Sequence, residues 1–313
     1  MSNGEKFFVG IDLGGTGIKA GLFGSGGELL TEGERPTPTS ARAILSAIEE
    51  LCRELTREEG RLLSGLGIGT AGVLDVERKM ILESPNLPDD FRSFPLKTRL
   101  EESLRVPVVL ENDASAAALG EYHFGAGRGS QSLICFTLGT GIGGGIVLEG
   151  RLWRGVTNAA GELGHMCIDP EGPICACGGR GCLEAFCSAQ AIVERAESSM
   201  ARQPGSALNE LEELTPETIS QAARAGDRAA VKVWEETGLY LGVGIGNVIN
   251  IFNPEVVVLS GGVSKAGDLI LKPALRSAKE VAFDASFRAA RIQCGELGNR
   301  AGITGAACLI LKA

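Results

Sequence analysis

Two hydrophobic patterns alternate along this chain. Short apolar runs break off at glycine-rich or polar turns, and longer amphipathic stretches separate them. Residues 7–11 and 18–23 read as strands on either side of the turn Asp12-Leu13-Gly14-Gly15-Thr16-Gly17. A helical pattern runs over 41–59, and residues 66–69 and 106–110 read as buried strands. The strand–turn–strand unit then returns, with residues 132–136 entering Thr137-Leu138-Gly139-Thr140-Gly141 and residues 145–148 leaving it. From residue 184 to about 251 the pattern is mostly helical. Residues 256–259 form a further strand that runs into Ser260-Gly261-Gly262 and a helix, and 301–311 reads as a terminal helix. Only residues 203–213 look loosely ordered.

Two near-identical glycine turns far apart point to two related α/β domains, because a solenoid would repeat at shorter, regular spacing. The expected division is a small domain over 1–115, completed by helix 300–313, and a larger one over 116–299 carrying a cysteine loop at 161–184. A length of 313 residues fits two domains. Composition narrows the class. With 44% hydrophobic and 22% charged residues the chain is that of a soluble globular protein. A net charge of −9 without an offsetting basic patch argues against a nucleic-acid or membrane-surface partner. The start of the sequence has no signal-peptide pattern, and no apolar run is long enough to span a bilayer. Nine scattered cysteines, an odd number, fit reduced thiols in a cytoplasm better than a disulfide framework.

Chemistry concentrates in one loop. Gly161-Glu162-Leu163-Gly164-His165 precedes Cys175-Ala176-Cys177 and Gly181-Cys182-Leu183-Glu184, and His165 is one of only two histidines. One imidazole and three thiols, His165, Cys175, Cys177 and Cys182, form a donor set of the kind Zn²⁺ takes in closed tetrahedral sites. The Pro- and Gly-rich surroundings lack apolar periodicity, so these thiols are not core filling; Cys167 and Cys187 flank the set as the nearest impostors. Glu162 and Glu184 are left free to present acceptors to a polyol. The glycine turns suit phosphate: Gly14, Gly15, Gly139 and Gly141 open the backbone N–H groups, Thr16 and Thr140 add hydroxyls, and Lys19 follows the first turn. Asp12 offers a carboxylate to Mg²⁺, and Gly261-Gly262 stands between strand and helix where a nucleotide can approach. There is no GxxxxGK[ST] loop. Residues 139–144 satisfy GxGxxG, but a strand rather than a helix follows them, against a dinucleotide site. Asn112-Asp113 lies where a strand gives way to an alanine-rich helix. There, Asp113 can be a general base oriented by its neighbour, or either residue can simply cap the helix.

These motifs, in this order and over essentially the whole chain, resemble the ROK family of repressors and sugar kinases. The resemblance implies two actin-like (ribonuclease H-like) α/β ATPase domains with a sugar and ATP cleft between them. It implies a kinase that transfers the γ-phosphate of ATP to the 6-hydroxyl of D-glucose, with Asp113 as base. Asn86, Asn112, Glu162, His165 and Glu184 become sugar ligands, as does the backbone near Gly72, and His165 divides its ring nitrogens between zinc and sugar. ATP, Mg²⁺ and structural Zn²⁺ are the implied cofactors, and a homodimer or tetramer the implied assembly. Another hexose (N-acetylmannosamine, fructose or mannose) and a silent sugar sensor are the other activities the family allows. A basic groove favouring polyphosphate as donor is not evident.

Overall fold

The computed structural model describes residues 5–57, 62–75, 77, 79–84 and 86–312. The expected helix end at Glu58 and Glu59, Pro85 beside Asn86, and residues 1–4 and 313 lie outside them.

Chain order begins β1 (Lys6–Leu13), β2 (Gly17–Gly24), β3 (Leu29–Pro36), α1 (Ala41–Leu55) and β4 (Leu62–Thr70). It continues with the short β5 (Val73–Leu74) and β6 (Ile81–Glu83), then α2 (Leu96–Leu104), β7 (Val108–Asn112) and α3 (Asp113–Phe124). Next come β8 (Leu133–Leu138), β9 (Ile142–Leu148), β10 (Arg151–Leu152), α4 (Glu184–Cys187), α5 (Ala189–Arg202), α6 (Pro216–Arg224) and α7 (Arg228–Phe252). The chain closes with β11 (Val256–Ser260), α8 (Asp268–Val281), α9 (Asp284–Ala289), β12 (Arg291–Cys294) and α10 (Ala301–Leu311). Two five-stranded sheets result, ordered β3-β2-β1-β4-β7 and β10-β9-β8-β11-β12. In the first, β1 pairs antiparallel with β2 and parallel with β4. In the second, β11 lies parallel to both β8 and β12. The strand order of one sheet therefore repeats in the other, the counterpart of the repeated glycine turn.

Contacts divide the chain into two units. The first contains residues 1–129, 145–161 and 299–313, and the second 130–144 and 162–298. The boundary lies later than the expected 115/116 because α3 is built into the first unit. Residues 114–121 of that helix are all buried, and a Cβ on Gly305 of α10 would stand 1.6 Å from the Ala116 carbonyl oxygen. Segment 145–161 stays with the same unit because Gly145 packs on α3, where a Cβ would come 2.4 Å from that of Ala118.

In the first unit, Ile11, Leu22, Leu66, Ile68 and Leu110 of the sheet share a core with Ile44, Ile48 and Leu51 of α1. Ser40 starts α1 by accepting the Ala43 N–H, and its apolar positions recur three and four apart. Helix α10 covers another part of the sheet through Gly10 and Gly67, where a Cβ would meet its backbone at 2.0 and 1.8 Å. Gly305→Ala should therefore separate α3 from α10. Overpacking of this kind costs about 1–3 kcal/mol, and the backbone contact places this site at the upper end. Urea unfolding checks it, and an unchanged midpoint would show that the helices are free to part.

In the second unit, α7 packs on α8. Gly238, Gly242 and Gly246, one helical turn apart, let the α8 backbone approach closely. Asp227 caps α7 by accepting the Ala230 N–H at 2.9 Å, and Asn253 ends it in a left-handed conformation with φ +45°.

Candidate functional site

In the first unit the candidate residues meet at the ends of β1, β4 and β7. Asp12 is the penultimate residue of β1 and faces Lys19 across the β1–β2 pair. The turn after it is closed by Gly14 N–H donating to Gly17 O at 3.0 Å. Thr37 fixes the turn from outside, its hydroxyl donating to Gly14 O at 2.6 Å and its N–H to Thr16 O at 3.1 Å. Gly15 lies against Asn86: a Cβ there would be 2.6 Å from the Asn86 carbonyl oxygen. The glycine turn expected to hold phosphate and the expected sugar contact are thus neighbours.

At the end of β7 the capping question has a definite answer. Asn112 is the N-cap of α3, its side-chain oxygen accepting the Ser115 N–H at 3.1 Å, while its Nδ2 donates to Gly72 O at 3.5 Å. Asp113 is the first helical residue, with Oδ1 accepting the Ala114 N–H at 2.8 Å. Capping therefore falls to Asn112 and leaves the second oxygen of Asp113 available. Burial pushes the Asp113 carboxyl above the usual carboxylate range, against the lowering effect of its backbone hydrogen bonds. Burial and repulsion from Asp113 raise Asp12 to about 6, with Lys19 partly opposing the shift. Asp12, beside the glycine turn, offers hard carboxylate oxygens of the kind a divalent cation takes.

In the second unit His165, Cys175, Cys177 and Cys182 converge, their ligand atoms all within 4.8 Å of one another. His165 Nδ1 is 3.7 Å from Cys175 Sγ, and Cys177 Sγ is 3.8 Å from Cys182 Sγ. A tetrahedron with metal–sulfur bonds of about 2.3 Å has edges near 3.8 Å, so the donor set fits Zn²⁺ in both chemistry and spacing. Local backbone explains the convergence. Cys167 and Cys182 form an isolated bridge, as do Ile174 and Arg180, and a tight turn closes with Gly178 N–H on Cys175 O at 2.9 Å. Gly181 must be glycine: its φ is +70°, and a Cβ would stand 1.6 Å from Asp169 O. Cys167 and Cys187 are outside the four. Cys187 is fully buried, bonds Thr237 O, and has its thiol pushed up to about 12 by burial.

The loop aims both glutamates. Glu162 Oε2 lies 3.9 Å from His165 Nε2, the ring nitrogen turned away from Cys175. Glu184 Oε2 accepts the Ile142 N–H at 2.8 Å, and its Oε1 takes a contact from Cys175 Sγ at 3.6 Å. Glu184 thus bridges the thiol cluster and the turn Gly139–Gly141. Gly261, with φ +90°, sits against β8, where a Cβ would come 2.4 Å from Leu138 O. Beside it opens a cavity of about 410 Å³ lined by Gly139, Thr140, Gly262, Thr215, Glu217 and Arg224, among others.

With this geometry in place, the comparisons are specific. The family model described as ROK family matches residues 8–313. The chain belongs to the ROK family. A glucokinase of Streptomyces coelicolor is 39% identical over 96% of both chains. The crystal structure of a ROK family glucokinase from Streptomyces griseus, in complex with glucose and AMPPNP, matches with a TM-score of 0.84 and 37% identity over 98% of this chain and 100% of that one. A xylose repressor of Caldicellulosiruptor bescii is 31% identical over 97% of this chain and 78% of its own length. Membership brings the expected actin-like α/β fold.

Several parts of this ROK site carry no sequence signal. Thr37 is remote in sequence from the turn it holds. Thr215, Glu217 and Arg224 belong to the start and end of α6, where Thr215 reads only as a cap. Glu111 is nearly fully buried and pairs with Arg154 at 2.6 Å, its other oxygen accepting the Asn112 N–H at 3.1 Å. That pair braces the residue next to Asp113, and its Arg154 half gave no signal in the sequence.

Proposed function

We propose that this chain is an ATP-dependent glucokinase, converting ATP and D-glucose to ADP and glucose 6-phosphate. One observation carries the choice of sugar: 39% identity to a glucokinase extends over 96% of both chains. A coupled assay with ATP, Mg²⁺ and a panel of hexoses tests it. The expected outcome is a kcat/KM for glucose above that for mannose, fructose and N-acetylmannosamine, and another hexose ranking first would overturn it.

In this reading Asp113 takes the proton of the sugar 6-hydroxyl as that oxygen bonds to the γ-phosphorus and the bond to the ADP oxygen breaks. Asn112 positions the hydroxyl beside it, and Asn86, Glu162, His165 Nε2 and Glu184 bind the remaining hydroxyls. Gly14, Gly15, Thr16 and Lys19, with Gly139, Thr140 and Gly141, bind phosphate oxygens, and the 410 Å³ cavity with Gly261 and Gly262 takes the adenosine. Asp12 would hold Mg²⁺, which supplies charge neutralisation at the phosphates. His165, Cys175, Cys177 and Cys182 would hold Zn²⁺, which supplies rigidity to the loop bearing Glu162 and Glu184.

Gly262 separates nucleotide from sugar binding. A Cβ there has nothing within 4 Å, and its φ of −63° suits any residue. Gly262→Leu should therefore fill the cavity without strain. We expect KM for ATP to rise at least about tenfold, a loss of ~1.4 kcal/mol, with glucose binding unchanged by calorimetry. Equal loss of both ligands would place the nucleotide elsewhere. Gly141 is a poorer probe because a Cβ there would meet Glu184 Oε2 at 2.5 Å and disturb a proposed sugar ligand as well.

A further inference from the structure

The first unit contains a second cavity that the proposed kinase chemistry does not use. It measures about 440 Å³ and is lined by α3, the β9–β10 turn, the segment after β10 and the end of α10. His123, Arg151, Arg154 and Lys312 face it, Leu152 and Leu309 give it an apolar floor, and no carboxylate lines it. In a chain of net charge −9, two unpaired cations, an imidazole and an arginine whose charge Glu111 already balances give this hollow a local excess of positive charge. Among the described residues, Arg151 and Lys312 make no ion pair or side-chain hydrogen bond. Arg154 uses only its Nε, on Glu111. An arginine has five N–H donors, so most of this guanidinium is left to meet a ligand. Burial, with the charge of Lys312 adding to it, holds His123 below the usual histidine range. Its charged neighbours in the cavity are Arg151, Arg154 and Lys312, and the rings of Tyr122 and Phe124 pack beside it.

An oxyanion in this hollow would meet donors from three elements and balance the unpaired charges of Arg151 and Lys312. Guanidinium forks match the oxygen geometry of phosphate. The volume falls within the usual range for small-molecule sites, about 300–1,000 Å³. We propose that this cavity binds the phosphate group of a small phosphomonoester or of free inorganic phosphate. The site goes beyond the glucokinase reading and stands without it, because binding can be measured with no nucleotide and no turnover.

Having only two histidines makes the test direct. In the intact chain, imidazole NMR follows His123 and His165 separately while inorganic phosphate is added in one arm and glucose 6-phosphate in the other. The expected result is a saturable shift of His123 and a rise in its titration midpoint, as an adjacent anion stabilises the imidazolium. Tighter binding of glucose 6-phosphate assigns the site to sugar phosphates; equal or tighter binding of inorganic phosphate assigns it to the free anion. In Arg151→Gln/Lys312→Gln, affinity should fall at least about tenfold, with the melting temperature and basal turnover unchanged because both side chains are exposed. A shift confined to His165, no saturation in either arm, or undiminished binding by the double variant overturns the proposal.

Discussion

Asp113→Asn should lower kcat about 10²–10⁴-fold, the usual contribution of a general base, while the KM for glucose changes far less. The fold predicts that the variant survives intact. The amide oxygen can still accept the Ala114 N–H, and Asn112, not Asp113, carries the cap. Stability gives an independent check with a definite sign. The folded-state pKa of Asp113 is raised above its unfolded value, so its contribution to stability is present at low pH and is lost as pH rises through the folded value. Removing the ionisable group should leave the protein at least as stable at neutral pH, so a catalytic loss cannot be ascribed to unfolding. The same raised pKa should place the acid limb of kcat/KM above the ordinary aspartate value of 3.8. Glu162→Gln should contrast with it, raising the KM for glucose while the base survives. Near-normal turnover by Asp113→Asn would remove Asp113 from the mechanism.

Cys182→Ala should abolish metal binding and lower thermal stability together. Cys182 is buried and 3.8 Å from Cys177 Sγ, so its loss opens the proposed tetrahedron from within. A ligand at a thousand times its Kd stabilises the folded state by about 4 kcal/mol, and a closed thiolate site operates in at least that regime. Elemental analysis should give one zinc per chain in the parent protein and none in the variant. The KM for glucose should rise more than that for ATP, because the loop carries Glu162 and Glu184 whereas the cavity proposed for adenosine rests on α6 and the Gly262 turn. Parent protein purified without chelators and free of zinc would refute the metal assignment.

How far the sequence reached depended on the range of the interactions involved. Strands with continuous apolar runs, such as β1, β8 and β11, were evident because burial on both faces leaves a pattern no turn can imitate. Strand β3 was not read: residues 29–36 alternate between half-buried and exposed with no fully buried position, the mark of an edge strand with little apolar signal. The last strand, β12, is short and nowhere buried. The expected strand at 106–110 begins instead at Val108, since Pro107 lacks an N–H for the ladder. Among the candidate site residues, the local sets were legible. The four metal-type donors lie within 18 residues and the Asn112-Asp113 pair is contiguous. What stayed hidden depends on tertiary contact: Thr37 on the Gly14 turn, Arg154 on Glu111, and the α6 residues around the 410 Å³ cavity.

The chain passes between its two units four times, after residues 129, 144, 161 and 298. Neither unit is a continuous stretch of gene, so neither can be excised by a single cut at each end. The order of synthesis is affected as well. Helix α10, whose Gly305 meets α3 and whose backbone covers Gly10 and Gly67, is translated more than two hundred residues after β1 and β4. At about 5–20 residues per second, strands β1 and β4 wait many seconds on the ribosome for the helix that seals them. During that interval their glycine-lined face is open, and this half of the molecule is the one on which a nascent-chain chaperone would be expected to act.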